Sequence, residues 1–252
     1  MKNELQELYK QVQEGSTRAM IRIARIYYWG LGVEPDTQKA IEWLRSAVEK
    51  GRKDANLMLG HVYYDMERTP ETDRKAWEAY QAAYEDNSGC AFFLGRMLYD
   101  NRVSGYEDDT ERLVDAGKFI EEAFCNDFNL IESRLYLWKI LSELGDPDIA
   151  QDYYDDAVDD LCDYKDYNNL AYDLWKFGEC EKALPYIEKA MEMVGEDKLL
   201  PYMIDTYAEV LYGLGRLDEA KQAFDKCMAV AKNLDERRHI RETEEKIKQK
   251  FN

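Results

Sequence analysis

The stretch that decides the fold runs from Ala19 to Ala55 and reads AMIRIARIYYWGLGVEPDTQKAIEWLRSAVEKGRKDA. It predicts two short amphipathic helices joined by a loop that contains Gly30 and Gly32. The apolar positions fall on one face of each helix: Ile23, Ala24 and Tyr27 in the first, and Ala40, Trp43, Leu44 and Ala47 in the second. Neither helix can bury such a face alone, so the unit is expected to stack on further copies of itself.

The spacing of small residues indicates that this pattern recurs down the chain. Two small residues lie seven positions apart in each second helix: Ala40/Ala47, Ala76/Ala83, Ala116/Ala123, Ala150/Ala157, Ala183/Ala190 and Ala220/Cys227. A bulky residue follows the first of each pair by three or four positions: Trp43, Tyr80, Phe119, Tyr154, Ile187 and Phe224. Two turns of helix put all three on one face, where small residues let a paired helix approach closely. The sequence therefore predicts six helix pairs.

The first helices carry a matching small position, and its distance from the second helix changes along the chain. The small positions are Ala24, Gly60, Gly95, Ala171 and Ala208, with Trp138 standing in the fourth unit. This position precedes the first alanine of the pair by 16 residues in units one and two, by 21 in unit three and by 12 in units four to six. An acidic loop at 101–110 accounts for the extra length of unit three. The chain thus changes repeat type in the middle, and Trp138 is expected to hold its helix pair further apart.

Both repeat types resemble known families. Unit one resembles a Sel-one-like repeat at Ala19, Ala24, Tyr27, Gly30, Gly32, Val33, Asp36, Lys39, Ala40, Trp43, Ala47, Gly51 and Ala55. Unit two keeps part of that pattern, and units four to six resemble tetratricopeptide repeats. The last unit is the clearest, with Tyr207, Ala208, Leu211, Gly215, Ala220 and Phe224. The resemblance implies an all-α fold, a right-handed α-α superhelix that binds other proteins or peptides, and it supplies no catalytic residues.

The resemblance and the register together divide the chain into four parts of one continuous solenoid. Residues 1–16 are expected to form an N-terminal capping helix. Residues 17–128 hold three Sel-one-like units, and residues 129–232 hold three tetratricopeptide units. Residues 233–252 are heavily charged and are expected to form a polar C-terminal capping helix that covers the last core face.

The charge balance limits the partners. Acidic residues outnumber basic residues by 52 to 34, which gives a net charge of −18. Nucleic acid and membrane binding are not expected, because both depend on Lys and Arg, whereas a basic protein would be attracted. No apolar stretch is of the signal-peptide type or long enough to span a membrane. The five cysteines form no CxxC and are odd in number, which favours reduced core thiols in a cytosol over disulfides. We expect a bacterial, cytoplasmic protein.

No motif indicates catalysis, a cofactor or a metal. The chain has two histidines, His61 and His239, and they stand in different repeats. Metal-ligand motifs, the hydrolase nucleophile elbow and phosphate-binding loops are all missing from the sequence. The GxG pairs at 30–32 and 213–215 lie in turns between helices without a preceding strand, so we interpret them as turns. We therefore expect no enzyme activity and no cofactor.

A run of aspartates between Asp146 and Asp166 leaves two interpretations open. It has no DxDxDG loop, and helical spacing does not converge oxygen atoms on one calcium ion. Ala150, Tyr154 and Ala157 take the inward face of the predicted helix, so the acids are expected to point outward. They form either a solvated convex face or a docking surface for a basic protein.

The candidate binding residues come from the inner wall that the tetratricopeptide resemblance implies. In that family the residues one and four places after the small position face a concave groove. The first set is Arg25, His61 and Arg96, and the second is Tyr28, Tyr64 and Tyr99. Arg18 and Trp29 extend this wall, and Tyr172 and Trp175 belong to its C-terminal half. The arginines would bind carboxylates and the tyrosines would stack on a peptide, or the tyrosines pack between neighbouring repeats.

The resulting hypothesis is a non-catalytic scaffold that binds a peptide or protein segment with acidic groups in the concave groove. The alternative is an acidic inhibitor or immunity-type protein that blocks a basic partner through its aspartate-rich convex surface. A transcription regulator is not expected, because the residues before position 17 are too few for a helix-turn-helix.

Overall fold

The computed structural model describes residues 2–128, 130–195 and 199–230, together with Glu245. Within these residues the secondary structure is helical without strands, and a 3₁₀ turn at Ser88–Cys90 joins two of the helices. The α-helices are α1 Lys2–Gln13, α2 Thr17–Trp29, α3 Thr37–Glu49, α4 Ala55–Asp65, α5 Pro70–Tyr84, α6 Ala91–Tyr99, α7 Asp109–Cys125, α8 Leu130–Leu144, α9 Pro147–Asp159, α10 Tyr164–Lys176, α11 Cys180–Val194, α12 Pro201–Gly213 and α13 Leu217–Val230. The capping helix expected at 233–252 lies outside the described residues, apart from Glu245.

The chain forms two compact units, which divide between Ala150 and Gln151. We call them the first unit and the second unit; each contains several of the repeats numbered above. In the first unit α2 packs on α3, α4 on α5 and α6 on α7, with α1 against α2 and α8 against α7. In the second unit α10 packs on α11, α12 on α13, and α11 on α12. The all-α paired architecture is as predicted, while the division of the chain at residues 16, 128 and 232 stays a prediction.

The predicted small residues of the second helices are buried. All six pairs, from Ala40/Ala47 to Ala220/Cys227, are at most 4% exposed. The buried bulky residue stands four places after the first small residue, as Leu44, Tyr80, Ile120, Ile187 and Phe224 show. The prediction is wrong for Trp43, Phe119 and Tyr154 of repeats one, three and four, because all three side chains are partly exposed. The residue four places after the first small residue is the buried one because it packs against the small residue of the first helix. Tyr80 packs against Gly60, and Ile120 packs against Gly95.

Polar caps fix the loop between α2 and α3. The Ser16 side chain accepts a hydrogen bond from the Ala19 N–H at 3.2 Å and begins α2. Gly30 ends α2 with a left-handed φ of 65°, and a Cβ there would lie 2.7 Å from Pro35 Cγ. Asp36 then accepts the Lys39 N–H at 2.9 Å and begins α3. The loop therefore requires glycine at position 30, both for its backbone angle and for the closeness of Pro35.

The cysteines follow the prediction only in part. Cys90, Cys180 and Cys227 are buried thiols, as expected for core residues. Cys125 and Cys162 are exposed, which corrects the expectation that all five lie in the core. Cys125 is the last residue of α7 and Cys162 precedes α10, so neither stands on a packed helix face. Among the described helices, none combines the length and the apolar composition that crossing a membrane requires.

Candidate functional site

Four residues of α2 form one exposed stripe: Arg18, Arg22, Arg25 and Trp29. They follow one another at spacings of four, three and four, which keeps them within about 60° of arc on a helix. The Arg25 guanidinium carbon lies 5.7 Å from the centroid of the Trp29 ring, and 53% of Trp29 is exposed. Arg22 Nη2 lies 3.1 Å from Glu4 Oε1 of α1. The fold therefore brings the predicted Arg18, Arg25 and Trp29 together on one surface, which we call the arginine stripe.

A repeated hydrogen bond joins neighbouring repeats of the first unit. A tyrosine four places after the small position of one repeat donates its hydroxyl to a carboxylate five places after the same position in the next. The pairs are Tyr28 with Asp65, Tyr64 with Asp100, and Tyr99 with Glu143, and the last bond measures 2.8 Å. Burial is the main cause that raises the pKa of the Tyr28 and Tyr99 hydroxyls, and the hydrogen bond to the carboxylate is the second cause. Both hydroxyls therefore remain protonated and act as donors. This tyrosine ladder supports the packing interpretation of the three tyrosines.

The ring of Tyr64 lies between two guanidinium groups. The Arg96 and Arg102 guanidinium carbons are 4.2 Å and 3.9 Å from the ring centroid. Arg102 also donates to the Tyr64 carbonyl at 2.8 Å and, through Nε, to Asp73 Oδ1 at 2.6 Å. The Nε of Arg96 is buried and has no hydrogen-bond partner among the described residues. Arg96 is thus held mainly by aromatic contact, and Arg102 ties the loop after α6 to both α4 and α5.

His61 had been predicted as the middle member of a basic row between Arg25 and Arg96. Its Nδ1 lies 3.0 Å from the Tyr80 hydroxyl, and its ring meets Phe93 edge-on with centroids 4.6 Å apart. Burial, aided by the positive charges of Arg96 and Arg25, lowers the pKa of His61 to about 4. The imidazole is therefore neutral at neutral pH. The basic row is corrected to two charges, Arg25 and Arg96, separated by an uncharged aromatic ring.

We expect His61 to titrate near pH 4 in the folded protein, well below its ordinary value of 6.5. Because the folded pKa lies below the unfolded one, the unfolded chain binds the proton first as the pH falls. The contribution of this group to stability is thus complete above pH 6.5 and is lost between pH 6.5 and about 4. Imidazole ¹⁵N NMR measures the pKa, and urea unfolding of His61→Phe should lack this pH dependence. A folded pKa above 6 would contradict the burial described.

The tyrosine ladder predicts energetic coupling between adjacent repeats. In a double-mutant cycle, Tyr28→Phe and Asp65→Asn should show a coupling energy of about 1 kcal/mol, since Tyr28→Phe removes the donor of this hydrogen bond and Asp65→Asn removes the negative charge of its acceptor. Urea unfolding gives the four stabilities. Tyr28→Phe combined with Asp100→Asn serves as the control, because these residues belong to different pairs and should be additive. Equal coupling energies in both cycles would mean that the hydrogen bond between Tyr28 and Asp65 does not stabilise the contact between these two repeats.

Tyr172 and Trp175 lie on α10 of the second unit and differ in their surroundings. Tyr172 is 40% exposed, and its ring centroid is 5.4 Å from that of Trp175 and 5.4 Å from Lys176 Nζ. Trp175 packs against the buried cluster that contains Ile204 and Ala208 of α12. Tyr172 is therefore a surface residue, whereas Trp175 belongs largely to the packing between two first helices.

The aspartate run points outward, as predicted. Its exposed members are Asp146, Asp148, Asp152, Asp155, Asp156, Asp159, Asp160 and Asp163. Ala150 and Ala157 on the other face of α9 are fully buried. Asp163 and Asp166 cap the N-terminus of α10, because each side chain accepts a hydrogen bond from the backbone N–H of the other at 3.2 Å. Within the described part of the chain, no group of three or more His, Cys, Asp or Glu side chains could hold a metal ion.

Several residues that shape the wall were missed by the sequence argument. The carboxylates Asp65, Asp100 and Glu143 recur at one register position, so the same repeat alignment could have found them. Arg102 stands in the loop that has no counterpart in the other repeats, so no periodic signal marks it. Arg112 donates to the Tyr99 carbonyl at 3.0 Å and satisfies the end of α6.

Stacked helix pairs with a small residue at every contact define an α-helical repeat protein. Comparison with protein families agrees with this class and with the predicted change of repeat type. The family model of the Sel1 repeat matches residues 17–51, and two tetratricopeptide-repeat models match residues 167–195 and 205–234. The chain therefore carries a Sel1 repeat near its N-terminus and tetratricopeptide repeats in its C-terminal part, as the resemblance implied.

Solved structures and curated proteins give further similarities. A tetratricopeptide repeat protein from Parabacteroides merdae is 12% identical, covering 96% of this chain and 97% of its own, with a TM-score of 0.55. A protective antigen of uropathogenic Escherichia coli with a Sel1-like repeat fold is 17% identical over 96% of this chain and 60% of its own, with a TM-score of 0.52. At these identities the likeness shows the repeat fold alone.

One curated relative is similar over a short part of the chain. HRD3A of Arabidopsis thaliana, an ERAD-associated E3 ubiquitin-protein ligase component, is 39% identical over 61 residues. The matched part amounts to 24% of this chain and 9% of HRD3A, so the chain spans less than a tenth of that relative. Repeat proteins of the Sel1 and tetratricopeptide classes are generally scaffolds for protein interaction and are usually not catalytic.

Proposed function

We propose that the first unit is a non-catalytic docking module that binds a protein or peptide segment along the exposed stripe of α2 and the partly exposed residues His61 of α4 and Arg96 of α6. The observation that carries the proposal is the arginine stripe, which sets Arg18, Arg25 and Trp29 side by side in solvent. Arginine and tryptophan side chains supply much of the binding energy at protein interfaces, and a guanidinium binds a carboxylate through two parallel hydrogen bonds. The partner segment is therefore expected to carry acidic groups.

The other predicted residues take supporting roles in this proposal. Tyr28, Tyr64 and Tyr99 fix the spacing of the first helices, because their hydroxyls bind carboxylates of the next repeat. Arg96 offers a second positive charge beside the Tyr64 ring, and His61 offers an uncharged aromatic surface between Arg25 and Arg96. Tyr172, with Trp175 behind it, is proposed as a separate contact on the second unit.

The test compares two double variants. Arg18→Ala with Arg25→Ala removes the two unpaired charges of the stripe, and we expect at least a tenfold loss of affinity. Arg45→Ala with Lys50→Ala is the matched control, because both residues are exposed cations on or next to α3 of the same repeat.

Affinity purification with mass spectrometry identifies the partner, and calorimetric titration measures its affinity for each variant. Circular dichroism verifies that the variants are folded. Equal affinities for wild type and the stripe variant would refute the proposed docking surface.

The second candidate, a blocking protein with an acidic binding surface, is favoured by the exposed aspartates of α9. Asp155, Asp156 and Asp159 of α9 and Asp160 directly after it are exposed, and they would attract a basic protein. This candidate predicts binding that weakens steeply with salt and is lost when all four residues become asparagine. A complex that tolerates high salt would argue against it.

A further inference from the structure

A pocket with apolar walls lies between α1 and the loop that follows α2. Its volume is about 460 Å³, within the range that holds large side chains or small ligands. Leu5 and Tyr9 of α1 form one side, and Ile26, Leu31 and Val33 form the other. Leu31 is 52% exposed and lies at the rim of the pocket. We call this cavity the α1–α2 pocket.

The pocket adjoins the arginine stripe. Glu4 lines the pocket and forms the ion pair with Arg22, which stands in the middle of the stripe. Trp29, the last residue of the stripe, precedes Leu31 by two positions and is equally exposed. An apolar cavity, an exposed indole and a row of guanidinium groups therefore form one continuous surface.

The surface of α2 beside the pocket is basic, although Glu4 lines the pocket itself. The segment 16–33 contains three arginines and no acidic residue, in a protein of net charge −18. Glu4 neutralises Arg22, but Arg18 and Arg25 form no ion pair with any described residue. A ligand segment that extends from the pocket along the stripe meets the positive charges of Arg18 and Arg25, which favour an anionic segment over a basic one.

We propose that the α1–α2 pocket takes an apolar side chain of an acidic partner segment whose carboxylates pair with Arg18 and Arg25. The inference rests on the proposed docking function and adds the chemical class of the partner. The apolar side chain supplies the anchor, because buried apolar contacts at the centre of an interface carry most of the affinity. The carboxylates supply orientation and salt dependence.

The geometry of α2 sets the spacing expected in the partner. Arg18 and Arg25 are separated by a helical rise of about 10 Å, which an extended chain covers in about three residues. The partner is therefore expected to carry two acidic residues about three positions apart, followed or preceded by the apolar anchor.

The experiment selects peptides from an unbiased twelve-residue display library on the full chain and titrates the enriched peptides by calorimetry. We expect enriched sequences to combine one large apolar residue with at least two acidic residues. Leu31→Asp should weaken their binding at least tenfold, because it places a charge at the rim of the pocket. Leu217→Asp is the matched control, since Leu217 is 53% exposed and lies on α13 of the second unit. That variant should bind as tightly as wild type.

The outcomes separate this inference from the docking function. If Arg18→Ala with Arg25→Ala lowers the affinity but Leu31→Asp does not, the pocket is not the anchor site and the docking surface stands. If neither variant loses affinity, both proposals fail. Enrichment of basic or purely apolar peptides, or of none that bind below 100 µM, would overturn the inference; that limit corresponds to about −5.5 kcal/mol. A dimer in analytical ultracentrifugation that Leu31→Asp abolishes would instead assign the pocket to a second copy of the chain.

Discussion

Gly60→Ala is expected to destabilise the first unit by about 2 to 3 kcal/mol, because α4 and α5 meet at this residue without room for a methyl group. A Cβ at position 60 would lie 2.4 Å from two carbon atoms of the Tyr80 ring. Tyr80 cannot move away, since it is fully buried and stacks on Phe93 with ring centroids 5.1 Å apart. The gain in helix propensity from glycine to alanine, about 1 kcal/mol, offsets only part of this loss.

Glycine to alanine at position 117 should instead raise the free energy of unfolding. Gly117 lies inside α7, and the nearest atom to a Cβ there is Ile140 Cγ2 at 3.5 Å, an ordinary van der Waals contact. Gly117→Ala is therefore expected to stabilise the protein by about 0.5 to 1 kcal/mol. Urea unfolding followed by far-ultraviolet circular dichroism compares the two variants with wild type. If Gly60→Ala were as stable as Gly117→Ala, the close contact between α4 and α5 would be wrong.

Arg102→Ala should have an equally large effect, a loss of about 3 kcal/mol, through a buried ion pair. The side chains of Arg102 and Asp73 are only 7% and 11% exposed, and their atoms lie 2.6 Å apart. Without Arg102 the Asp73 carboxylate keeps only the exposed Arg68 at 3.4 Å. The Tyr64 carbonyl at the end of α4 also loses its donor, and the Tyr64 ring loses one of its two cationic neighbours.

A neighbouring ion pair provides the control. Arg74 and Glu78 lie 2.6 Å apart, but their side chains are 59% and 56% exposed. Arg74→Ala is therefore expected to change the free energy of unfolding by no more than about 0.5 kcal/mol. Combining Arg102→Ala with Asp73→Ala should recover part of the stability, because no unpaired charge stays buried. The same urea unfolding measures all variants, and a small effect of Arg102→Ala alone would show that the loop after α6 is held by other contacts.

The repeat register could be predicted because it follows from local periodicity. Alanines seven places apart, such as Ala76 and Ala83, mark the packed face of a helix whatever else surrounds it. Gly30 marks the loop between two helices for an equally local reason, since its backbone angle favours glycine. Such signals need no knowledge of which helix lies opposite.

The candidate site could be predicted only in part. Arg25 and Trp29 were placed on the inner wall because of the tetratricopeptide resemblance. The structure shows both side chains exposed on one stripe of α2, while their contact with a partner stays a prediction. The neutrality of His61 did not follow, because its pKa depends on burial against Phe93 and on a charge supplied by Arg96 of another repeat. The α1–α2 pocket was not predicted either, since α1 has no repeat pattern that fixes its distance from Leu31.

The sequence by itself determined that this protein is a chain of helix pairs and that the small residues spaced seven apart in the second helices are buried. These properties depend on the apolar period of a helix and on caps within a few residues. The tertiary structure alone decided that the hydroxyls of Tyr28, Tyr64 and Tyr99 bind carboxylates of the next repeat. It also decided that Arg102 donates hydrogen bonds to Asp73 and to the Tyr64 carbonyl. Such contacts join residues 29 to 44 positions apart, and their partners are chosen by the packing distance between repeats. For the same reason, the surface left over for a partner, the arginine stripe with its adjoining pocket, becomes visible only after the helices have packed.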